Sequence, residues 1–309
     1  MTAIATTTTT AAITVEHTDS DRLARRLALV TVCGPALGFA AAVVFAVRYG
    51  ITGFDILLFV GFYFVTGMGI EGGFHRLFSH RSFRARGWVD TALAIAGSMA
   101  AQGPVLFWVA THRMHHAHAD RDGDPHSPRP IGTDRWATLR GLWHGHVGWL
   151  FKVRRDGWAK HVKDLLRSRR LMVINKLYFV WVALGVVLPC AASALYYGTV
   201  RGAVAGLLYA GLARIFVLDQ VTWGVNSLGH SWGARRYTTR DNSRNIAPMA
   251  GISIGGSWHN NHHAVPGSAF NHHRWWQVDL TGMFIWSLHR LRLVSDVHRP
   301  TRQQQQEGT

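Results

Sequence analysis

Cysteine and charge are both scarce in this chain of 309 residues. Its two cysteines, Cys33 and Cys190, each lie inside an apolar run, which argues against a disulfide framework or a thiolate metal site and favours buried free thiols. Only 16% of the residues are charged and 48% are hydrophobic, yet the mean hydropathy is just +0.05. The apolar residues must therefore be concentrated in blocks, which indicates that membrane-embedded and water-exposed parts share one chain.

Acidic residues are also few, with 17 against 33 basic residues and a net charge of +16. The basic residues are scattered among Trp and Gly instead of forming a stripe, and long apolar runs are foreign to soluble DNA-binding domains. We therefore expect no nucleic-acid partner. Anionic lipid headgroups or an acidic substrate fit the positive charge better.

Four apolar runs are long enough to cross a bilayer as helices. They cover residues 28–47, 51–70, 177–197 and 203–222. Short connectors join them in pairs, so the sequence predicts an all-α integral membrane protein with two helical hairpins and a helical cap on one side. The last run carries Arg214 and Asp219, which are costly in lipid and are expected to face protein or a polar cavity. Arg22, Arg25 and Arg26 beside the first run place the cap in the cytoplasm, and we expect the membrane to be the bacterial cytoplasmic membrane.

A further uncharged stretch, Thr91–Thr111, is interrupted in its middle by Gln102-Gly103-Pro104. We interpret it as a partly buried or interfacial helix and not as a fifth span. The remaining boundaries follow from composition. We predict a disordered tail over residues 1–20, one membrane domain over 21–298 and a C-terminal tail over 299–309.

The 19 histidines are the main anomaly, and most of the notable ones fall into clusters. The clusters are His75 and His80; His112, His115 and His116; and His259, His262 and His263, with Asn226 and His230 as a fourth, quieter pair. In the pattern His-x-x-His-His the first histidine shares a helix face with the other two, and the last two diverge by about 100°, so adjacent histidines can reach two different ions. His75 and His80 do not share an α-helical face, so we expect either that the helix breaks between them or that these ligands come from its end.

Nine clustered histidines exceed what one ion can use and match two ions with four or five nitrogen donors each. Imidazole binds zinc, copper, nickel and iron alike, so the ligand type does not choose the metal. The other ten histidines lack a matching pattern, and we assign them surface, supporting or headgroup roles.

These residues and their neighbours carry a family resemblance. The blocks are Gly73–Phe83, Thr111–His116, Asp122–His126, Gly145–Trp149, Asn226–His230 and Gly256–His263, in that order. The sequence resembles the membrane-bound fatty acyl desaturases, most of all the delta-9 acyl-CoA (stearoyl-CoA) branch, over about residues 45–298. The resemblance implies a four-span helical protein whose cytoplasmic cap holds two irons.

Carried over residue by residue, the resemblance divides the ligands between the irons. One iron would take His75, His80, His112, His116 and His263, and the other His115, His230, His259 and His262, with Asn226 reaching the second iron through a water. The implied reaction is O₂-dependent formation of a cis double bond, expected at the delta-9 position, in a saturated acyl chain, expected as acyl-CoA. Chains already in glycerolipids or on an acyl carrier remain open, as does the chain length.

The resemblance also implies substrate contacts and an electron donor. Arg76, Arg81 and Arg113 are candidates to meet the substrate's phosphates, and Phe59 and Tyr63 occupy positions where bulk would shorten the acyl tunnel. The chain has no His-Pro-Gly-Gly haem motif and no cysteine cluster for an iron–sulfur centre, so we expect a separate ferredoxin or small cytochrome with an NAD(P)H reductase.

Two alternatives stay open. The same scaffold could carry a hydroxylase, an acetylenase or a terminal-olefin-forming enzyme, because one oxidant serves all of these and substrate geometry selects the outcome. A non-enzymatic metal-binding membrane protein is less favoured, because it predicts ligands at membrane depth and not at span ends.

Overall fold

The computed structural model describes residues 7–152 and 157–306 of the chain. In this part the α-helices are α1 Thr7–Tyr49, α2 Gly53–Met68, α3 Gly87–Ser98, α4 Val105–His118, α5 Ala137–His146, α6 Arg169–Lys176, α7 Tyr178–Tyr197, α8 Val200–Gly206, α9 Arg214–Ser227, α10 His259–Ala264, α11 Leu280–Arg290 and α12 Arg302–Gln306. Two π-helical segments, Gly69–Ser79 and Leu207–Ala213, extend α2 and join α8 to α9. Strands β1 Arg84–Ala85 and β2 Val294–Ser295 pair antiparallel.

Among the described residues, four continuous helical stretches are long and apolar enough to cross a membrane, as the sequence predicts. They are Arg22–Tyr49, Gly53–Ser79, Tyr178–Tyr197 and Val200–His230. The turns of the two hairpins meet at one end of the bundle. There the Phe54 and Tyr196 rings stack with centroids 3.8 Å apart, and the Tyr209 hydroxyl donates to the Gly50 carbonyl at 2.9 Å. The long polar segments therefore leave the bundle together at the opposite end.

The uncharged stretch 91–111 forms two helices and not one span, which confirms the prediction. Helix α3 ends at Ser98 and α4 begins at Val105. Between them Gly103 has φ +109°, a conformation that glycine adopts without strain, and its N–H donates to the Tyr178 hydroxyl at 3.0 Å. Pro104 stands just before the first residue of α4, where its lack of an N–H costs no helical hydrogen bond.

Close helix packing places the cap against the second span. A Cβ on Gly69 would lie 2.1 Å from the backbone nitrogen of Gly97, so only glycine lets α3 approach the π-helical segment this closely. The buried apolar core continues from this contact through Phe74 and Val109 to Ile254 and Ile285 of the cap. The π-helical segment is thereby fixed at the boundary between bundle and cap.

Arg214 faces protein, as expected for a cation within a span. It is fully buried and donates to the carbonyls of Met99 and Gly185, at 3.1 and 2.7 Å. Asp219 is buried as well. These polar groups lie between helices, away from the lipid-facing surface.

The ends of the chain only partly overlap the described residues. Helix α1 begins at Thr7, inside the segment for which we predict a disordered tail. The helix extends this far because a span supplies a helical nucleus that neighbouring residues can extend. Within the predicted C-terminal tail, residues 302–306 form α12. The predictions for residues 1–6 and 307–309 fall outside the described residues.

Candidate metal centre

Four different elements bring the clustered histidines together where the spans meet the cap. His75 lies in the π-helical segment, and His80 follows it directly. The second cluster occupies the last turns of α4, and the third forms half of the short helix α10. His230 lies in a 3₁₀ turn after α9. The histidines therefore converge from both hairpins and from the cap.

The nine histidines divide into two groups. The first group is His75, His80, His112, His116 and His262, and the second group is His115, His230, His259 and His263. Within each group one ring nitrogen from every member lies within 4.8 Å of all the others. The prediction that neighbouring histidines serve separate groups agrees with this arrangement for His115 and His116.

The structure corrects the division expected for α10, because His262 lies in the first group and His263 in the second. The reason is the helical phase. His259 and His263 are four residues apart, and their rings lie with centroids 4.4 Å apart, so they belong to the same group. His262 is turned away from both, and its Nε2 lies 3.0 Å from Nε2 of His75 and of His116.

Of the two arrangements expected for His75 and His80, a helix break is absent, whereas His80 does come directly after the end of the helix that carries His75. That helix is wider than an α-helix. In a π-helix the N–H of residue i+5 bonds to the carbonyl of residue i. Here the His80 N–H donates to the His75 carbonyl at 3.1 Å, and the two rings lie 5.0 Å apart. The i, i+5 spacing that is wrong for an α-helix is therefore right for the helix that forms.

Carboxylates hold four of the nine rings by their Nδ1 atoms. Nδ1 donates to a carboxylate oxygen at 2.8–3.0 Å in His75–Glu71, His115–Asp124, His230–Asp120 and His263–Asp241. Sequence reasoning missed all four carboxylates. Glu71 could have been found, since it precedes His75 by one helical turn, whereas Asp120 and Asp241 reach their histidines only through the fold.

The hydrogen bonds to carboxylates fit the site to metal ions. A carboxylate only accepts, so Nδ1 carries the proton and Nε2 presents a lone pair. His115 and His263 both have this arrangement, yet their Nε2 atoms face each other 3.4 Å apart. Two lone pairs repel at this distance unless a cation lies between them. The all-imidazole donor set suits a borderline transition metal such as iron.

Burial keeps His112, His116 and His259 neutral, as metal ligands must be. Desolvation, followed by the charges of neighbouring histidines, lowers the pKa of His116 to about 3. The same causes hold the pKa of His112 and His259 far below the ordinary value. Burial raises the pKa of Asp241, but the hydrogen bond and charge of His263 outweigh it, so the pKa stays below its ordinary value and the group stays ionised.

Helix α10 is only six residues long and is held by buried amides. The Oδ1 atom of Asn245 accepts the backbone N–H groups of Asn260 and Asn261 at 3.0 and 3.1 Å, which caps the helix from a distant loop. The Asn260 side chain accepts from the N–H of Tyr237 at 2.6 Å, and the Asn261 side chain donates to the Asn271 carbonyl at 2.9 Å. The two residues that looked like spacers in His-Asn-Asn-His-His thus orient the helix that serves both groups.

A small cavity of about 40 Å³ adjoins the first group. Its lining residues are Thr31, Gln102, Phe107, Trp108, Thr111, His112, His126, Trp149, Leu150, Thr222, Trp223 and Asn226. Asn226 therefore lies at this cavity, and its expected link to a metal ion through a water stays a prediction. His126, for which we expected a surface, supporting or headgroup role, is buried and stacks on His115 with ring centroids 4.3 Å apart, which is a supporting position.

Two of the three arginines expected at the substrate are engaged in contacts within the protein. Arg76 is fully buried, pairs with Asp279 at 2.8 Å and donates to the Ala269 carbonyl at 2.7 Å. Arg113 donates to both oxygens of Asp164 and to three backbone carbonyls. These contacts give both guanidinium groups a structural role, and their expected part in substrate binding stays a prediction. Arg81, mostly exposed, also pairs with Asp164.

Phe59 and Tyr63 lie deeper in the second span. Tyr63 is buried and its hydroxyl donates to the Ile252 carbonyl at 2.5 Å, while Phe59 packs on it with ring centroids 6.1 Å apart. Ile252 lines a narrow void together with Gly67, Leu218 and Thr222. Thr222 also lines the cavity beside the first group, so the two spaces are neighbours.

Comparison with the sequences of known proteins agrees with the fold and with the two histidine groups. The fatty acid desaturase family model matches residues 52–284, and the chain belongs to this family. It is 40% identical over 269 residues to a hex-5-enoyl-acyl-carrier-protein acetylenase of Moorena producens (strain JHB), covering 86% of this chain and 84% of the relative. It is 37% identical to an sn-1 stearoyl-lipid 9-desaturase of Anabaena variabilis (76% and 80% covered) and 35% identical to delta-9 acyl-lipid desaturase 1 of Arabidopsis thaliana (78% and 74% covered).

Proposed function

We propose that this protein is an O₂-dependent fatty acyl desaturase that forms a cis double bond, at the delta-9 position, in a saturated acyl chain. The observation that carries the proposal is the pair of histidine groups at the end of an apolar bundle. The first group would hold one iron and the second group the other, with Asn226 contributing to the second through a water. When bound, the two irons supply the oxidising power, drawn from O₂, that removal of hydrogen from an unactivated methylene pair requires.

The residues around the groups have distinct tasks in this proposal. Glu71, Asp120, Asp124 and Asp241 hold the Nδ1 protons of their histidines and so aim each Nε2 inward. Trp108 stacks on His112 at 5.1 Å and forms part of the wall of the adjoining cavity. Such apolar walls exclude water and confine the acyl chain beside the metal-binding groups.

The two neighbouring spaces, the cavity beside His112 and the void at Ile252, support a path for the acyl chain. From the cavity beside His112 it would pass Thr222, whose hydroxyl accepts a hydrogen bond from the Gln102 amide at 3.0 Å, and continue towards Ile252 and Tyr63. We propose that Tyr63 and Phe59 bound the tunnel and set the accepted chain length.

Assaying Tyr63→Ala with saturated chains of increasing length tests the tunnel limit. We expect activity to shift towards longer chains, because the variant removes the ring that closes the path. Tyr196→Ala, on the outer turn, is the matched control and should leave the preference unchanged. An unchanged preference in Tyr63→Ala would contradict the proposed tunnel end.

Of all parts of the proposed function, the form in which the acyl chain is presented is the least constrained by the structure. Coenzyme A is the carrier expected from the sequence, but Arg76 and Arg113 are engaged internally and are not free for its phosphates. The cavity is instead lined by Thr31 of the first span, roughly 7–8 Å along the helix from Arg26 at 1.5 Å per residue. We therefore favour a chain esterified in a membrane lipid, which could enter at that depth.

A reconstituted assay distinguishes the three presentations. The protein, a ferredoxin or small cytochrome and an NAD(P)H reductase would be offered acyl-CoA, acyl carrier protein and lipid-bound chains, and the double bond located by mass spectrometry. Exclusive turnover of acyl-CoA would contradict the favoured substrate form. Turnover of none of the three, with two irons bound, would contradict the proposed reaction.

A second candidate is acetylenase activity, favoured by the relative from Moorena producens, whose name gives an enoyl chain on an acyl carrier protein as substrate. The same assay supplied with saturated and with unsaturated chains separates the two candidates. Turnover of unsaturated chains alone, with a triple bond in the product, would establish the acetylenase. Turnover of saturated chains supports the desaturase.

The proposed location is the bacterial cytoplasmic membrane with the histidine groups facing the cytoplasm. The cluster Arg22, Arg25 and Arg26 beside the first span supports this orientation. The excess of basic residues suits an acidic electron donor docking on the same face.

A further inference from the structure

A second cavity, of about 340 Å³, lies outside the metal centre, between α11 and the C-terminal segment. Its lining residues are Phe270, His272, Gly282, Met283, Trp286, Ser287, Arg299, Pro300 and Gln305. The volume is within the range of ligand-binding pockets, and the aromatic and aliphatic members make most of the wall apolar. Nothing in the proposed reaction uses this space.

Helix α11 lies at the level where the second span leaves the membrane. The Thr281 hydroxyl donates to Sδ of Met68 at 3.7 Å, and a Cβ on Gly72 would contact Thr281 and Phe284 at 3.7–3.9 Å. The sequence predicts that the second apolar run ends at residue 70, within this contact region. The outer face of α11 is therefore at the height of the lipid headgroups.

The exposed side chains beside the cavity are those typical of a membrane interface. Trp275 is 95% exposed and Trp276 52%, and Met283 and Trp286 project from α11 with 59% and 46% exposed. Tryptophan concentrates at the boundary between acyl chains and headgroups. This set of exposed side chains suits a surface that contacts lipid.

A cation without an acidic partner stands at the rim. The Arg299 guanidinium lies over the Phe270 ring, 5.0 Å from its centre, and in the described part of the chain no carboxylate forms an ion pair with it. The backbone beside Arg299 is held in place. The backbone N–H of His298 donates to the Ser82 carbonyl, and the His298 carbonyl accepts from the Ala269 N–H, both at 2.9 Å. Arg76 and Arg113, by contrast, are fully compensated by acidic side chains.

We propose that this cavity binds one anionic phospholipid of the adjacent leaflet. An acyl chain packs against Phe270, Met283 and Trp286, and the phosphodiester lies on Arg299. The apolar wall, the depth set by α11 and the uncompensated cation each match one part of such an amphiphile.

Native mass spectrometry of the full-length protein, stripped of lipid in detergent and then incubated with phosphatidylglycerol or phosphatidylcholine, tests the site. We expect the wild type to retain one more phosphatidylglycerol than Arg299→Gln, with about fivefold weaker binding in the variant, the ratio expected for one basic residue near an anionic surface. Arg167→Gln, which changes another exposed arginine away from the cavity, should behave as wild type. Equal retention in wild type and Arg299→Gln, or equal retention of the two lipids by the wild type, overturns the proposal.

A fluorescence measurement checks the acyl part of the site independently. Phosphatidylglycerol brominated on its acyl chains should quench Trp286, so Trp286→Phe should lose a distinct component of the quenching, whereas Trp143→Phe on α5 should not. Identical quenching in wild type and Trp286→Phe would place the lipid elsewhere.

Discussion

The two histidine groups differ in how their ligands are supported. In the second group three of four histidines donate Nδ1 to a carboxylate, whereas in the first group only His75 of five does so. Carboxylates raise the basicity of an imidazole and fix its orientation. The second group therefore compensates a bound cation with negative charge, and the first group relies on a larger number of neutral ligands. Two ions bound here would not be electrostatically equivalent.

Replacing one histidine of α10 at a time should give the largest effect on the difference between the two groups. In the proposed site, His263→Ala should empty the second group and His262→Ala the first, each reducing iron from two to about one per chain and abolishing turnover. Iron counting combined with Mössbauer spectroscopy would show which ion remains. His118→Ala, an exposed histidine on α4, serves as control, and the same spectroscopic loss in both α10 variants would contradict the division.

Removing one supporting charge should weaken the second group without emptying it. Asp241→Asn keeps the shape but leaves His263 with a weaker acceptor, so we expect roughly a 10–100-fold loss of metal affinity, confined to that group. Asp122→Asn is the matched control, because Asp122 is fully exposed and pairs only with Arg129. Competition with a chelator would measure both, and an unchanged Asp241→Asn affinity would argue against a supporting role.

The first group should respond less to loss of its one carboxylate. Four of its five ligands have no carboxylate partner, so Glu71→Gln should reduce metal affinity by roughly tenfold or less, at the low end of the range for such changes. The same chelator competition tests whether Glu71→Gln loses less metal affinity than Asp241→Asn. A larger loss in Glu71→Gln than in Asp241→Asn would reverse the comparison.

Asn245→Ala should affect both groups together, through stability instead of charge. It removes the acceptor for two buried N–H groups of α10, each of which costs about 1–3 kcal/mol when left unpaired. We expect a lower melting temperature and parallel loss of both ions, recovered in part by Asn245→Asp, which restores the acceptor. Loss from one group only would show that α10 does not act as a unit.

Much of this molecule could be predicted from sequence, because the decisive signals are local. Twenty-residue apolar runs predict the spans, and Gln102-Gly103-Pro104 predicts the break between α3 and α4. The nine-histidine set also emerged from spacing. Its division did not, because the assignment of His262 and His263 depends on the phase of a six-residue helix set by Asn245 from a distant loop.

Other parts depend on the fold itself. The sequence suggests that arginines beside histidines are free to meet a substrate, but Asp279 and Asp164, far away in the chain, neutralise Arg76 and Arg113. Asp120 and Asp241 likewise acquire their roles only when loops from different parts of the cap meet. Such long-range pairings leave no periodic trace in a single sequence.

The π-helical segment has one more consequence. Its turn holds an extra residue compared with a turn of an α-helix. The spacing of the two histidines along the chain therefore matters as much as the histidines themselves. Deleting a single residue between His75 and His80 would leave all nine histidines in the chain and would still allow a regular helix. It would change the separation from i, i+5 to i, i+4, which an ordinary α-helix holds on one face, so the wider turn would no longer be needed to bring the two rings together. The number of residues between these two ligands and the type of helix that carries them are therefore matched to each other.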